Sequence, residues 1–286
     1  GHAVTVPTDF QFQLIDFNLF DSDPDWRAVT TGTLEEKMKN MSDPELRKPL
    51  KEKFNPKHTF IGAMANNINK LRYGEGDDIN VHNKYEGRII EEIAETENKH
   101  PIDVFLDISL SENLSSRWVT PPQKIEMEAM SRLANHPFSV PGLSDGGAHM
   151  KFLTAAIYPT YFLGTLCRDN NVMSLEKAHW KLSAYPAQVA GIRDRGHLTE
   201  GFGADIVIYD LDELDYGPME RLQDFPADDW RLVQRPKGYK YIIVNGVVTF
   251  TDDSKCTGET PGRFLRNGIA SAPPVKIAKE HKKDVA

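Results

Sequence analysis

The hydrophobic period changes once along this chain, and that change limits the fold more than any other feature. Between about residues 85 and 191, apolar residues recur at helical spacing. The runs are YEGRIIEEIAETE (85–97), PIDVFLDISL (101–110), PPQKIEMEAMSRLANH (121–136), TYFLGTLCRD (160–169) and SLEKAHWKLSAY (174–185). Beyond about residue 200 the period falls to two, in DIVIYD, DWRLVQR, YKYIIV and GVVTF, with Asn245–Gly246 as a hairpin turn. Inside the helical region one apolar stretch, FSVPGL (138–143), reads as a buried strand and runs into SDGGAHM (144–150). Helix, apolar strand and polar tip in succession is the pattern of a parallel α/β sheet or barrel. A small antiparallel unit follows it.

The N-terminal part is less regular. AVTVPTDF (3–10) reads as a short strand ending at a polar tip. From about 20 to 82 turn signals and short polar helices dominate, near 33–40 and 43–53, with Asp43 as N-cap and Pro44 at the first helical position. RYGEGDDIN reads as a connection. A stretch of this length with little apolar periodicity reads as a lid or binding loop. The tail 267–286 is rich in Pro, Lys and Ala and is expected to be exposed. The chain opens GHAVTV without a methionine, which points to a fragment. No internal repeat is visible.

Composition narrows the partners. The 286 residues carry a net charge of −8, which disfavours nucleic acid and anionic membrane surfaces. No apolar run approaches the roughly 20 residues of a membrane helix. Cys167 and Cys256 form no CxxC pair, so the expected setting is reducing and cytoplasmic.

The turn at 144–150 holds the most informative chemistry. In parallel α/β folds the C-terminal ends of strands carry the active site, and Asp145 stands at such an end. Gly146 and Gly147 let the backbone approach a ligand closely. An aspartate there can bind a metal through one oxygen and take a proton from metal-bound water. His149 can face the same pocket, and Tyr158 and Tyr161 can line it. On the residues alone, Asp145 can equally cap the next helix, with His149 and the tyrosines packing. His2, His58, His82 and His281 are scattered. His100, His136 and His179 read as structural. No HxH, HExxH or GxSxG motif is present.

Taken together, PGLSDGGAHM (141–150), IYPTYFLGTLCRD (157–169), SLEKAHWKLSAYPAQVAGIRDRGHLTEGFGADIVIYDLDEL (174–214), RLVQRPKGYKYIIVNGVVTF (231–250) and TGETPGRFLR (257–266) resemble the amidohydrolase superfamily, in its branch of N-acyl-D-amino-acid deacylases (D-aminoacylases). The resemblance is strong over 136–266. It is weaker over the first 20 residues, which are similar to the family's seventh barrel strand, and over the lid-like insertion.

The resemblance implies an α/β fold: the C-terminal part of a (β/α)8 barrel plus a β-sandwich portion. Residues 1–195 would supply the last two barrel strands with the insertion at about 20–82. Residues 196–266 would supply the sandwich portion, and 267–286 an exposed tail. It implies zinc-assisted hydrolysis of N-acyl-D-amino acids. Asp145 would be the general acid/base and a possible metal ligand, and Gly146, Gly147, His149 and Tyr158 would border the substrate. The family's HxH or HxD pair, its bridging Cys or Lys and its two later histidines all come from earlier strands and are absent here. Zinc, as one or two ions, is therefore expected only with an N-terminal half of the same enzyme, which becomes the expected partner beside a small-molecule substrate and a possible second copy. A dihydropyrimidinase-like cyclic amide hydrolase and a non-catalytic assembly module are the alternatives.

Overall fold

The computed structural model describes residues 1–3, 6–7, 10–16, 18, 20–55, 68–121, 125–142, 144, 150–252 and 255–266. Two apolar cores organise them. The first gathers Phe12, Phe20, Trp26, Tyr73, Phe105 and Trp118, all buried, in one aromatic cluster. Trp26 stacks on Phe20 at 4.5 Å between ring centres, and Trp118 meets Phe105 edge-on at 5.0 Å. The stretch that reads as irregular in sequence is thus built on aromatic residues spaced too widely to show a period.

Its helices begin where the capping chemistry places them. Asp23 caps α1 (Pro24–Thr30), and Thr33 with Glu36 forms a capping box on α2 (Leu34–Ser42). Asp43 caps α3 (Pro44–Glu52), as expected from the Asp-Pro pair. β1 (His2–Ala3) and β2 (Gln11–Phe12) precede these helices. The expected connection at RYGEGDDIN instead contains β3 (Arg72–Glu75). The expected helix over 85–97 starts later, as α5 (Ile90–Glu97), and a separate helix, α4 (Ile79–Tyr85), precedes it. Gly87 divides them at φ +73°, a left-handed value that no continuing helix tolerates. α6 (Pro101–Ser111) follows as expected, with His100 as its N-cap, and β4 (Arg117–Val119) lies antiparallel between β2 and β3.

The second core carries α7 (Met127–Asn135) and β5 (Val140–Pro141). A long helical passage comes next: α8 (Tyr158–Tyr161), a π-helical stretch Phe162–Asp169, α9 (Leu175–His179), a second π-helical stretch Trp180–Ala184, and α10 (Tyr185–Val189). Buried Phe162, Leu163, Leu166, Met130 and Ile157 pack this layer. Gly191, at φ +72°, stops it as expected.

β6 (Ile206–Tyr209), β7 (Asp215–Phe225), β8 (Asp229–Lys237), β9 (Tyr239–Val244), β10 (Val247–Thr251) and β11 (Lys255–Cys256) complete the chain. Four of them form an antiparallel sheet in the order β11-β10-β9-β6, and β7 pairs with β8 as a separate ribbon. Asn245 at φ +47° and Gly246 at φ +82° make the expected hairpin. Buried Arg195 ties the end of the helical layer to this sheet, through Asp205 at 2.8 Å and Asn245 at 2.8 Å. No described helix is long and apolar enough to cross a membrane.

Candidate active site

β1 and β5 run parallel, with His2 opposite Val140 and Ala3 opposite Pro141. Val140 N–H donates to Gly1 O at 2.9 Å, and the Gly1 ammonium donates to Phe138 O at 2.7 Å. Both strands therefore end on the same side, and SDGGAHM follows β5 in the sequence. Asp145, Gly146, Gly147 and His149 lie outside the described residues. The chain on either side, up to Gly142 and from Met150, is described.

On the near flank, Gly142 has φ +140° and lies under the Tyr158 phenol. A Cβ there would stand 3.8 Å from the Tyr158 Oη, so glycine permits both the backbone angle and the close approach of the ring. Tyr158, half-buried at the start of α8, thus stands beside the end of β5. Tyr161 is buried in the second core and takes the packing alternative.

On the far flank β2 and β8 hold residues 150–152. Met150 O accepts from Leu232 N at 2.7 Å, and Phe152 O accepts from Gln11 N at 2.8 Å. Lys151 pairs with Asp229 at 2.9 Å and lies 5.3 Å from the Trp230 ring centre; the Arg221 guanidinium stands 4.0 Å from the same ring. Arg117 lies close by, pairing with Glu75 and donating to Gln11 Oε1 at 3.3 Å. Burial, and then the charge of Arg221, bring Arg117 down to about 10. Lys151 was within reach of sequence reasoning, as the first cation after the turn. Gln11, Trp230 and Arg221 were not, because nothing in their local sequence ties them to it.

The histidines read as structural take local roles. His100 Nδ1 accepts from Ile102 N at 3.2 Å, and His136 Nδ1 from Phe138 N at 3.2 Å. His179 Nε2 meets Tyr209 Oη at 2.6 Å, and burial holds its imidazole below the usual range. That pair lines a cavity of about 950 Å³ between the helical layer and the sheet, bordered also by Ile157, Thr160, Tyr239 and Ile242. Among the described residues no group of three or more His, Cys, Asp or Glu is placed to hold a metal ion. Cys167 and Cys256 are free.

Comparison with known proteins decides the family, because the amidohydrolase family pattern matches residues 66–250. The chain belongs to the amidohydrolase family. Among curated amidohydrolases it is 34% identical over 117 residues to the N-acyl-D-glutamate deacylase of Alcaligenes xylosoxydans xylosoxydans, covering 40% of this chain and 22% of the relative. It is 29% identical over 130 residues to the D-aminoacylase of the same organism, covering 44% and 25%. An uncharacterised protein of Mycobacterium tuberculosis is 30% identical over 206 residues, covering 65% and 33%. A solved D-aminoacylase structure aligns with 23% identity and a TM-score of 0.41, over 69% of this chain and 38% of that one. The chain thus spans between 22% and 38% of the length of these relatives.

Proposed function

We propose that this chain is the C-terminal part of an amidohydrolase that cleaves the amide of N-acyl-D-amino acids. The observation that carries the reading is the parallel β1–β5 pair, with Tyr158 against Gly142 at the C-terminal end of β5 and SDGGAHM next in the sequence. In this reading β1 and β5 are neighbouring strands of a (β/α)8 barrel. Residues 1–195 belong to that barrel, with a lid-like insertion at about 20–82. Residues 196–266 form part of a β-sandwich, and 267–286 an exposed tail. The similarity to an N-acyl-D-glutamate deacylase and a D-aminoacylase supports the substrate class.

Asp145 acts as general acid/base: its carboxylate takes a proton from the attacking water and delivers it to the leaving amine. Gly146 and Gly147 leave room for the acyl amide, and His149 and Tyr158 border it. Zinc belongs to the same proposal, with Asp145 as one ligand. The described residues do not supply the others, so the ligand set and the complete site require an N-terminal half of the enzyme. The free thiols of Cys167 and Cys256 support a cytoplasmic setting.

The test is turnover by the complete zinc-loaded enzyme on N-acyl-D-amino acids. Asp145→Asn is expected to lower kcat by about 10²–10⁴-fold with an unchanged melting temperature. Wild-type turnover in that variant would remove Asp145 from the chemistry.

A further inference from the structure

Lys181 is 0% exposed, yet no carboxylate among the described residues lies within 4.0 Å of its ammonium. Buried lysines are rare without such a partner. Its Nζ donates instead to His136 O at 2.6 Å and Ser139 O at 2.7 Å. The rings of Tyr185 and Trp180 stack at 4.6 Å, and their centres stand 5.1 and 5.7 Å from the ammonium. Tyr185 Oη donates to Pro137 O at 2.7 Å. With the Gly1 ammonium on Phe138 O, every carbonyl from 136 to 139 has a donor.

These four residues are the lead-in to β5. Proline at 137 ends α7, and the stretch has no ladder of its own; Ser139 N–H reaches His136 O at 3.2 Å, and the carbonyls of 137–139 take their donors from elsewhere. An ammonium offers three N–H groups and needs no acceptor bond, which suits converging carbonyls. It is delivered from the π-helical turn Trp180–Ala184, which directly precedes α10; such widened turns recur at functional sites. Burial, and then Lys177, hold the ammonium below the usual lysine range, so the charge is kept there at a cost.

We infer that Lys181 is a positioning residue, clamping the lead-in to β5 and so fixing the point from which the Asp145 turn departs. The catalytic half of this inference rests on the function proposed above; the clamp itself does not.

Lys181→Met keeps length and volume and removes every N–H. Amide hydrogen exchange over 140–150 reads the clamp directly in this chain. Leu106→Ala, fully buried in the first core, serves as a destabilised control. Lys181→Met is expected to speed exchange over 140–150 by about tenfold, the equivalent of one or two hydrogen bonds, while Leu106→Ala leaves that stretch at the wild-type rate. In the complete enzyme Lys181→Met should lower kcat about tenfold to a hundredfold with KM little changed, and Lys181→Arg should restore part of it. If Lys181→Met does not fold, Tyr185→Phe removes one bond of the same clamp and should raise exchange over 140–150 to a smaller degree. Wild-type exchange in the folded Lys181 variant, or in Tyr185→Phe in its place, overturns the clamp. So does a rise matched by Leu106→Ala. Faster exchange with unchanged kcat overturns the catalytic half alone. Retained turnover in Asp145→Asn sinks the proposed chemistry and leaves the exchange result standing.

Discussion

Glu112 offers the sharpest stability experiment. Its carboxylate, on a residue 3% exposed at the end of α6, faces neutral donors. Tyr73 Oη stands 3.1 and 3.0 Å from its two oxygens, Asp78 N–H 3.1 Å from Oε1, and Ser116 Oγ 2.5 Å from Oε2. These bonds join α6 to β3 and to the cap of α4, so Glu112 ties three parts of the first core together. Glu112→Leu strands the buried Tyr73 hydroxyl and the part-buried Asp78 N–H, while the Ser116 hydroxyl keeps Ile108 O at 3.4 Å. At about 1–3 kcal/mol for each stranded donor, less whatever local rearrangement recovers, the loss should be about 3–4 kcal/mol. Glu112→Gln differs. Its amide oxygen can keep Tyr73 and the Asp78 N–H, and the Ser116 hydroxyl can rotate to accept from the amide N–H. It also removes a buried charge from the neighbourhood of Asp77 and Asp78. The expected loss is below about 1 kcal/mol. For a chain of this size the two variants should lower the melting temperature by about 6–16 °C and by no more than about 4 °C. Urea unfolding followed by far-UV circular dichroism checks the order. A Gln variant as unstable as the Leu variant would refute the argument, because charge rather than donor satisfaction would then decide.

Two further outcomes are expected. Glu97 is held at about 2, chiefly by the hydrogen bond from Lys84 and then that from Tyr85. Its folded pKa is below the unfolded value, so it stabilises above about pH 4.5 and that stability fades as pH falls towards 2; Glu97→Gln should be less stable than wild type at pH 7 and equal to it near pH 2, in urea titrations at each pH. Burial pushes the Cys167 thiol up to about 11, whereas Cys256 is exposed, so alkylation of the native chain at pH 8 should label Cys256 alone by peptide mass spectrometry.

What the sequence showed most clearly was local. Asp43–Pro44 and the His100–Pro101 start of α6 open helices through bonds to the backbone that span three residues or fewer, so the amino acids at those positions suffice. The antiparallel unit was legible because alternation and Asn245–Gly246 act over a single hairpin. β7 was not. Asp215–Phe225 holds Gly217 and Pro218 and mostly exposed residues, and it becomes a strand by pairing with β8, which binds its backbone whatever its side chains are. The first core was hidden for a related reason. Phe12, Tyr73, Phe105 and Trp118 meet across more than a hundred residues of chain, and no window of sequence contains them all.

The site divides along the same line. Asp145, Gly146, Gly147 and His149 were singled out by the chemistry of one short stretch, and Tyr158 by its nearness in sequence. The groups that hold that stretch come from everywhere else: Gln11 near the N-terminus, Leu232 and Asp229 from the β7–β8 ribbon, Lys181 from the helical layer. They act largely on main-chain oxygens, at Met150, Phe152, His136 and Ser139, and a carbonyl is the same in every residue. A contact made to a side chain leaves a mark at both ends of the sequence, since both residues must suit it. A contact made to a carbonyl marks only the donor. This is why a turn can announce itself in a sequence while its supports do not. It also says where such supports are to be sought: among buried donors with no acid beside them among the described residues, of which Lys181 is one and Lys37, bonded to the carbonyls of Leu14, Ile15 and Asp16, is another.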